Sequence, residues 1–169
     1  YKTLGQLIGD IKQQNDHLAQ TKFTENFTVN TILQDAAYRA AQSDIRFDVL
    51  VSVPPQLTVA ESDLCELLMN MLDNALEAAA EVTDGKRSVR FQIETKNGFL
   101  AVKCENSYSG KRRQDADGNY LTTKNDAETH GFGLKLMSAV AVRYHSMLDI
   151  FTSEDRIFTV QTALKLPKK

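Results

Sequence analysis

From Pro54 to Gly85 the sequence contains no lysine or arginine, and within that window Glu61 to about Val82 keeps an unbroken helical period. Leu64, Leu67, Leu68, Met71, Leu72, Ala75 and Ala79 recur at three- and four-residue steps, the spacing of one buried helix face. The opposite face is polar in an unusual way. With Asn70 at zero and about 100° per residue, Asn74 falls near 40° and Glu77 near −20°. Asp63, Glu66, Asp73 and Glu81 lie within about a right angle of them. A solvated helix face normally mixes both signs of charge, and asparagine in mid-helix competes with the backbone for hydrogen bonds. Two side-chain amides among carboxylates form a set of hard oxygen donors. Such a set suits Mg²⁺, which takes a few protein oxygens and keeps waters and phosphates. Asn70 and Asn74 are therefore candidate metal ligands, and Glu77 is a further candidate on the same face. The plainer reading, a solvated stripe, fits the flanking acids better than the two amides.

The rest of the chain alternates between the two periods. Ile45 to Val53 alternates and is rich in β-branched residues, which predicts a strand stopped by Pro54-Pro55. Ser88 to Thr95 and Phe99 to Glu105 are two strands joined by Asn97-Gly98, a strong hairpin signal. Asn30 is placed to cap a helix from Thr31 to about Gln42, after a short extended stretch over residues 23–28. A helix is expected from about Gly133 to Tyr144, and Met147–Thr152 with Ile157–Leu166 as a closing antiparallel pair. Leu4, Leu7, Ile8, Ile11 and Leu18 predict an amphipathic helix over residues 3–20. Interleaved helices and strands with hairpin pairing imply a two-layer α/β sandwich. Its sheet would be mixed, mostly antiparallel, with helices on one face. The 169 residues suit one domain with an appendage, divided here as residues 1–22 and 23–169.

Composition removes several classes. A net charge of −2 with both signs spread along the chain leaves no basic footprint for nucleic acid. The 42% of apolar residues is too much for a disordered chain, and no apolar run is long enough to cross a bilayer. Cys65 and Cys104 sit among apolar neighbours outside any metal or redox motif, as buried thiols of a reducing compartment would. The first residue is Tyr1, and no signal peptide opens the chain. The expectation is a piece of a longer protein with any membrane anchor upstream.

Residues 106–130 are polar and lack an apolar period, the character of a functional lid or a disordered segment. They lead into His130-Gly131-Phe132-Gly133-Leu134. Glycine permits close backbone approach, and a helix beginning there would offer free N–H groups to phosphate. Lys111, Arg112 and Arg113 read as solvated loop charges, while Lys124 is evenly balanced between phosphate contact and solvent. His130 is open between phosphate contact, support of the lid and plain exposure. His145 reads as a turn residue and His17 as surface.

Leu68-Met-Asn70-Met-Leu-Asp73-Asn74-Ala75-Leu-Glu77-Ala resembles the N box of the GHKL ATPases, the group of gyrase, Hsp90, MutL and the histidine kinases. His130-Gly131-Phe132-Gly133-Leu134-Lys135 resembles its second glycine box. Phe27-Thr-Val-Asn30-Thr-Ile-Leu33, Ser62 to Leu68 and Leu121-Thr-Thr-Lys124 are similar to AgrC-like peptide-sensing histidine kinases. The resemblance implies the Bergerat fold, ATP and Mg²⁺ as ligands, and transfer of the γ-phosphoryl to a histidine on a dimerisation helix. It assigns Asn70 and Asn74 to Mg²⁺ and phosphate, and Glu77 to the catalytic face. Lys124, His130, Gly131, Gly133 and Leu134 go to the nucleotide. Gyrase-like members hold a water-activating Glu where Asn70 stands; an amide cannot take that proton, so hydrolysis should be poor. The family's adenine-binding Asp is replaced by Asn106 in Cys104-Glu105-Asn106-Ser107, and its Gly-Gly after the third helix by His145-Ser146.

The resemblance further implies a response regulator as partner, homodimerisation through upstream helices, and a cytoplasmic position in a membrane-anchored sensor. None of the three histidines sits in the family's HDxxxH acceptor motif, so residues 1–22 read as the end of a second dimerisation helix. Two rivals stand beside this reading: a GHKL-type anti-sigma-factor kinase that phosphorylates serine on a partner, and a degenerate module that signals without nucleotide.

Overall fold

The computed structural model describes residues 3–6, 21–110, 113–114, 120–121 and 127–169, with the backbone alone for 113–114, 120–121 and 127–131. The elements run α1 (Phe27–Gln42), β1 (Arg46–Ser52), α2 (Glu61–Ala80), β2 (Ser88–Lys96), β3 (Phe99–Ser107), β4 (Arg113–Gln114), β5 (Tyr120–Leu121), α3 (Ala127–Arg143), β6 (Asp149–Thr152) and β7 (Ile157–Lys165). Five strands form one sheet in the order β1-β2-β3-β7-β6, and β4-β5 is a separate two-stranded ribbon. Only β1 pairs in parallel, with β2; the other pairs of the large sheet are antiparallel. This is the expected mixed α/β sandwich.

Strand alternation decides which face is covered. In β2, Val89, Phe91 and Ile93 are buried while Arg90 and Glu94 are exposed. In β3 the buried row is Leu100, Val102, Cys104 and Asn106. These rows meet Leu67, Leu68, Met71 and Leu72 of α2, Leu33 of α1 and Met137 of α3 in one continuous core. Asn97 and Gly98 both take left-handed φ angles, 53° and 81°, so the β2–β3 turn has the twist a two-residue hairpin needs.

Several boundaries differ from expectation. The cap of α1 is Asn26, whose side chain accepts from Val29 N at 3.1 Å, so α1 starts at Phe27 rather than Thr31. Asn30 instead turns back, accepting from Phe23 N at 2.8 Å and holding the entering chain. The polar stretch is partly structured: β3 runs on through Ser107, and β4 and β5 pair within it. Helix α3 starts six residues before the expected Gly133, at Ala127. Ala127-Glu128-Thr129-His130 contains no helix breaker, and each glycine costs only about 1 kcal/mol against alanine, which packing onto α2 offsets. Of the helix expected over residues 3–20, only the start lies within the described residues. There Thr3 and Gln6 form a reciprocal capping box, at 3.2 and 2.9 Å. No helix among the described residues is long and apolar enough to cross a membrane.

Candidate functional site

Helices α2 and α3 lie antiparallel on the covered face of the sheet. The sequence makes one stripe of α2 apolar, and that stripe faces the strands. The neighbouring stripe, carrying Asn70 and Asn74, is met by α3 at Gly133. A methyl carbon placed on Gly133 would lie 3.3 Å from Oδ1 of Asn70, and 3.7 and 3.8 Å from the amide nitrogen and oxygen of Asn74. A side chain there would press on the Asn70 amide, which would have to give by a few tenths of an ångström. The amides are thus covered by backbone, and Asn74 is only 9% exposed. Asn74 is buried because Gly133 lets α3 close over it.

The hydrogen bonding of these amides is incomplete. Asn70 donates from Nδ2 to the carbonyl of Glu66 at 2.7 Å, one turn back on its own helix, which turns its Oδ1 towards Gly133. Among the described residues Asn74 has no hydrogen-bond partner for its side chain. Buried polar groups are nearly always paired, and leaving one unpaired costs about 1–3 kcal/mol. An oxygen-rich ligand or a hard cation would supply the missing partners. Asn106 repeats the pattern at the end of the inward-facing row of β3. It is 2% exposed and donates to Ser107 O at 3.0 Å, and its Oδ1 accepts nothing among the described residues.

Most of the acidic stripe on α2 has a different use. Asp63 accepts hydrogen bonds from Arg143 and from the Tyr144 hydroxyl, Glu66 lies 3.7 Å from Arg143, and Asp73 lies 2.7 Å from Arg39 of α1. The cations missing from the Pro54–Gly85 window are supplied by neighbouring helices, so these acids hold α1, α2 and α3 together. Glu77 is half-buried on the face shared with Asn70 and Asn74. No local signal in the sequence marks Arg39, Arg143 or Tyr144 as partners of that stripe.

In the glycine segment, Gly133 and Leu134 are buried, Leu134 within the core, and Phe132 is exposed. His130 and Gly131 belong to α3 by their backbone, and Lys124 lies outside the described residues. Because α3 begins at Ala127, its unpaired N–H groups are those of its first turn; those of Gly131 and Gly133 are inside the helix. His145, where the family has glycine, takes a left-handed φ of 57°. The N–H groups of His145 and Ser146 reach Val142 O and Ala141 O, which closes α3 as a Schellman turn. His145 is the turn residue expected, and it pays the usual cost of a side chain at positive φ. A hollow of about 920 Å³ on the open face of the sheet, lined by Gln92, Lys103 and Gln161 among others, includes none of Asn70, Asn74 and Asn106. Buried amides without partners call for a ligand, whereas the open face of the sheet is a solvent-facing surface.

The architecture is that of a histidine kinase catalytic domain. The catalytic domain of the histidine kinase ThkA matches with a TM-score of 0.62 at 16% identity, over 87% of this chain and 98% of that one. The Acinetobacter baumannii histidine kinase AdeS matches with a TM-score of 0.59 at 14% identity, over 98% of this chain and 79% of that one. At such identities the likeness is one of fold. The family model described as GHKL domain matches residues 59–165, and the chain belongs to that family. A probable C4-dicarboxylate sensor kinase of Halalkalibacterium halodurans is 27% identical over 113 residues, 66% of this chain. The chain spans 21% of the length of that relative.

Proposed function

We propose that this GHKL domain binds Mg²⁺-ATP between α2 and α3 and passes the γ-phosphoryl to a histidine on a dimerisation helix. The observation that carries the reading is the buried Asn74 amide, unpaired among the described residues, beside the Asn70 oxygen and under Gly133. Two amide oxygens fit a hard cation that completes its shell with water and phosphate oxygens. Asn70 and Asn74 would hold Mg²⁺ and the phosphates, with Glu77 on the same face. Gly131 and Gly133 let backbone approach, and Leu134 packs that turn onto the core. His130 and Lys124 are assigned to the nucleotide by resemblance alone. Asn106, with one buried acceptor open, suits the adenine amino group. A neutral amide makes a weaker contact than the family's Asp, so the affinity belongs in the micromolar-to-millimolar range.

Bound Mg²⁺ would neutralise phosphate charge during transfer. The chain's own residues position the nucleotide, and Asn70 withholds the base that hydrolysis needs. The acceptor histidine, the response regulator and a dimer through upstream helices belong to the same reading. So does a cytoplasmic place in a membrane-anchored sensor. The AgrC-like flanks support a peptide-sensing subgroup. Calorimetry with Mg²⁺ and with EDTA tests the site: binding that needs Mg²⁺ is expected, and equal affinity in EDTA would remove the metal role of Asn70 and Asn74. Incubation with labelled ATP should leave the chain unlabelled, since none of its histidines sits in an acceptor motif. Stoichiometric label on His17 would refute that placement.

A further inference from the structure

Antiparallel α2 and α3 meet at Gly133 and again at Tyr144, and we infer that the second contact sets the first. Tyr144, with Asp63, is a positioning residue that fixes how closely Gly133 approaches Asn70 and Asn74. The inference rests on the nucleotide reading for its consequence, though not for its geometry.

Helix α2 begins at Ala60, which has no side-chain oxygen to cap it. In a capping box the side chain three residues on reaches back to the N–H of the cap residue. Asp63 occupies that place, but its Oδ2 accepts from the Tyr144 hydroxyl at 2.6 Å, and that hydroxyl accepts the Ala60 N–H at 3.0 Å. A tyrosine at the end of α3 is therefore inserted into the cap of α2. Arg143 donates to the other oxygen of Asp63. From the other side the Tyr144 carbonyl accepts from Lys165 N at 2.9 Å, at the end of β7. The end of α3 is thus tied both to its partner helix and to the sheet.

The eleven residue steps from Gly133 to Tyr144 span about 16 Å of stiff helix, so a displacement at the clasp carries to Gly133. The tolerance there is small, because a single added carbon already stands 3.3 Å from Asn70 Oδ1. A shift of α3 by a few tenths of an ångström changes the opening in which phosphate oxygens meet the amides.

The test compares the full chain with Tyr144→Phe, which keeps the ring and removes the hydroxyl. Two readouts are needed: the side-chain amide resonances of Asn70 and Asn74 without nucleotide, and affinities for Mg²⁺-ATP and for adenosine. The expected result is displaced amide resonances and Mg²⁺-ATP affinity weaker by about three- to tenfold, the size of part of one charged hydrogen bond. Adenosine, which has no phosphates, should change by less than about twofold. Unmoved resonances with unchanged affinity and a lower melting temperature would overturn the inference, leaving Tyr144 as a cap alone. If the unaltered chain binds no Mg²⁺-ATP, the nucleotide reading fails while the resonances still decide the positioning. If Tyr144→Phe does not fold, Asp63→Ala, which takes away the acceptor of the Tyr144 hydroxyl, decides it by the same two readouts.

Discussion

Gly133 of α3 stands against Asn70 of α2 so closely that one added methyl carbon would lie 3.3 Å from the Asn70 amide oxygen. Gly133→Ala therefore opposes two effects. Alanine improves helix propensity by about 1 kcal/mol, and the new carbon displaces the Asn70 amide by a few tenths of an ångström. The melting temperature should move by no more than about 5 °C, on the scale of a 1 kcal/mol change. Affinity for Mg²⁺-ATP should fall at least about tenfold, a loss of roughly 1.4 kcal/mol. Calorimetry beside a thermal melt separates the two, and unaltered affinity would place the phosphates elsewhere.

Removing a buried amide that has no partner costs the fold little. Asn74→Ala should keep or slightly raise stability, because the desolvation penalty of about 1–3 kcal/mol leaves with the side chain. It should abolish nucleotide binding. A chemical-denaturation midpoint at or above that of the unaltered chain, together with no binding heat, is the expected pair of results. An unfolded variant would make Asn74 structural.

The Tyr144 phenol is held above its ordinary value, first by burial and then by its hydrogen bond to Asp63. A group whose folded pKa is raised keeps its proton where the unfolded chain has released it. Its contribution is therefore present below about pH 10 and lost as pH rises through the folded value. Urea midpoints should fall on going from about pH 9 to 11, and Tyr144→Phe should fall less steeply. Parallel curves would mean that Tyr144 does not titrate differently in the two states.

Burial also pushes the Cys104 thiol up to about 12, and Cys104 is fully inside β3 while Cys65 is partly exposed on α2. The thiolate is the reactive form. An aromatic disulfide reagent at neutral pH should modify Cys65 and leave Cys104 untouched until denaturant is added. Equal rates at both positions would indicate that β3 opens readily.

Elements with a strong period were legible without coordinates. The β2–β3 hairpin follows from alternation around Asn97-Gly98, and α2 from its apolar steps. The pairing of two amides on one side of α2 is a consequence of helical spacing alone. Boundaries depending on side-chain competition were not legible: Asn26 and Asn30 are both possible caps, and only the path of the entering chain gives the cap to Asn26. The start of α3 depends on α2 being there to offset two glycines.

By itself the sequence determined which residues share a face, because that follows from 3.6 and 2 residues per repeat. It placed Asn70 and Asn74 together and made His145 a turn, whereas Asn106 joined the inward row of β3 only because the strand runs on past Glu105. The tertiary structure alone decided what each face meets. Gly133 covers the amides and buries Asn74. Arg39, Arg143 and Tyr144 reach across from other helices to take Asp73, Glu66 and Asp63. Those partners are 34 to 81 residues away in the chain, beyond any local pattern. Whether an acid binds a helix or a ligand is settled by which cation arrives beside it when the layers close.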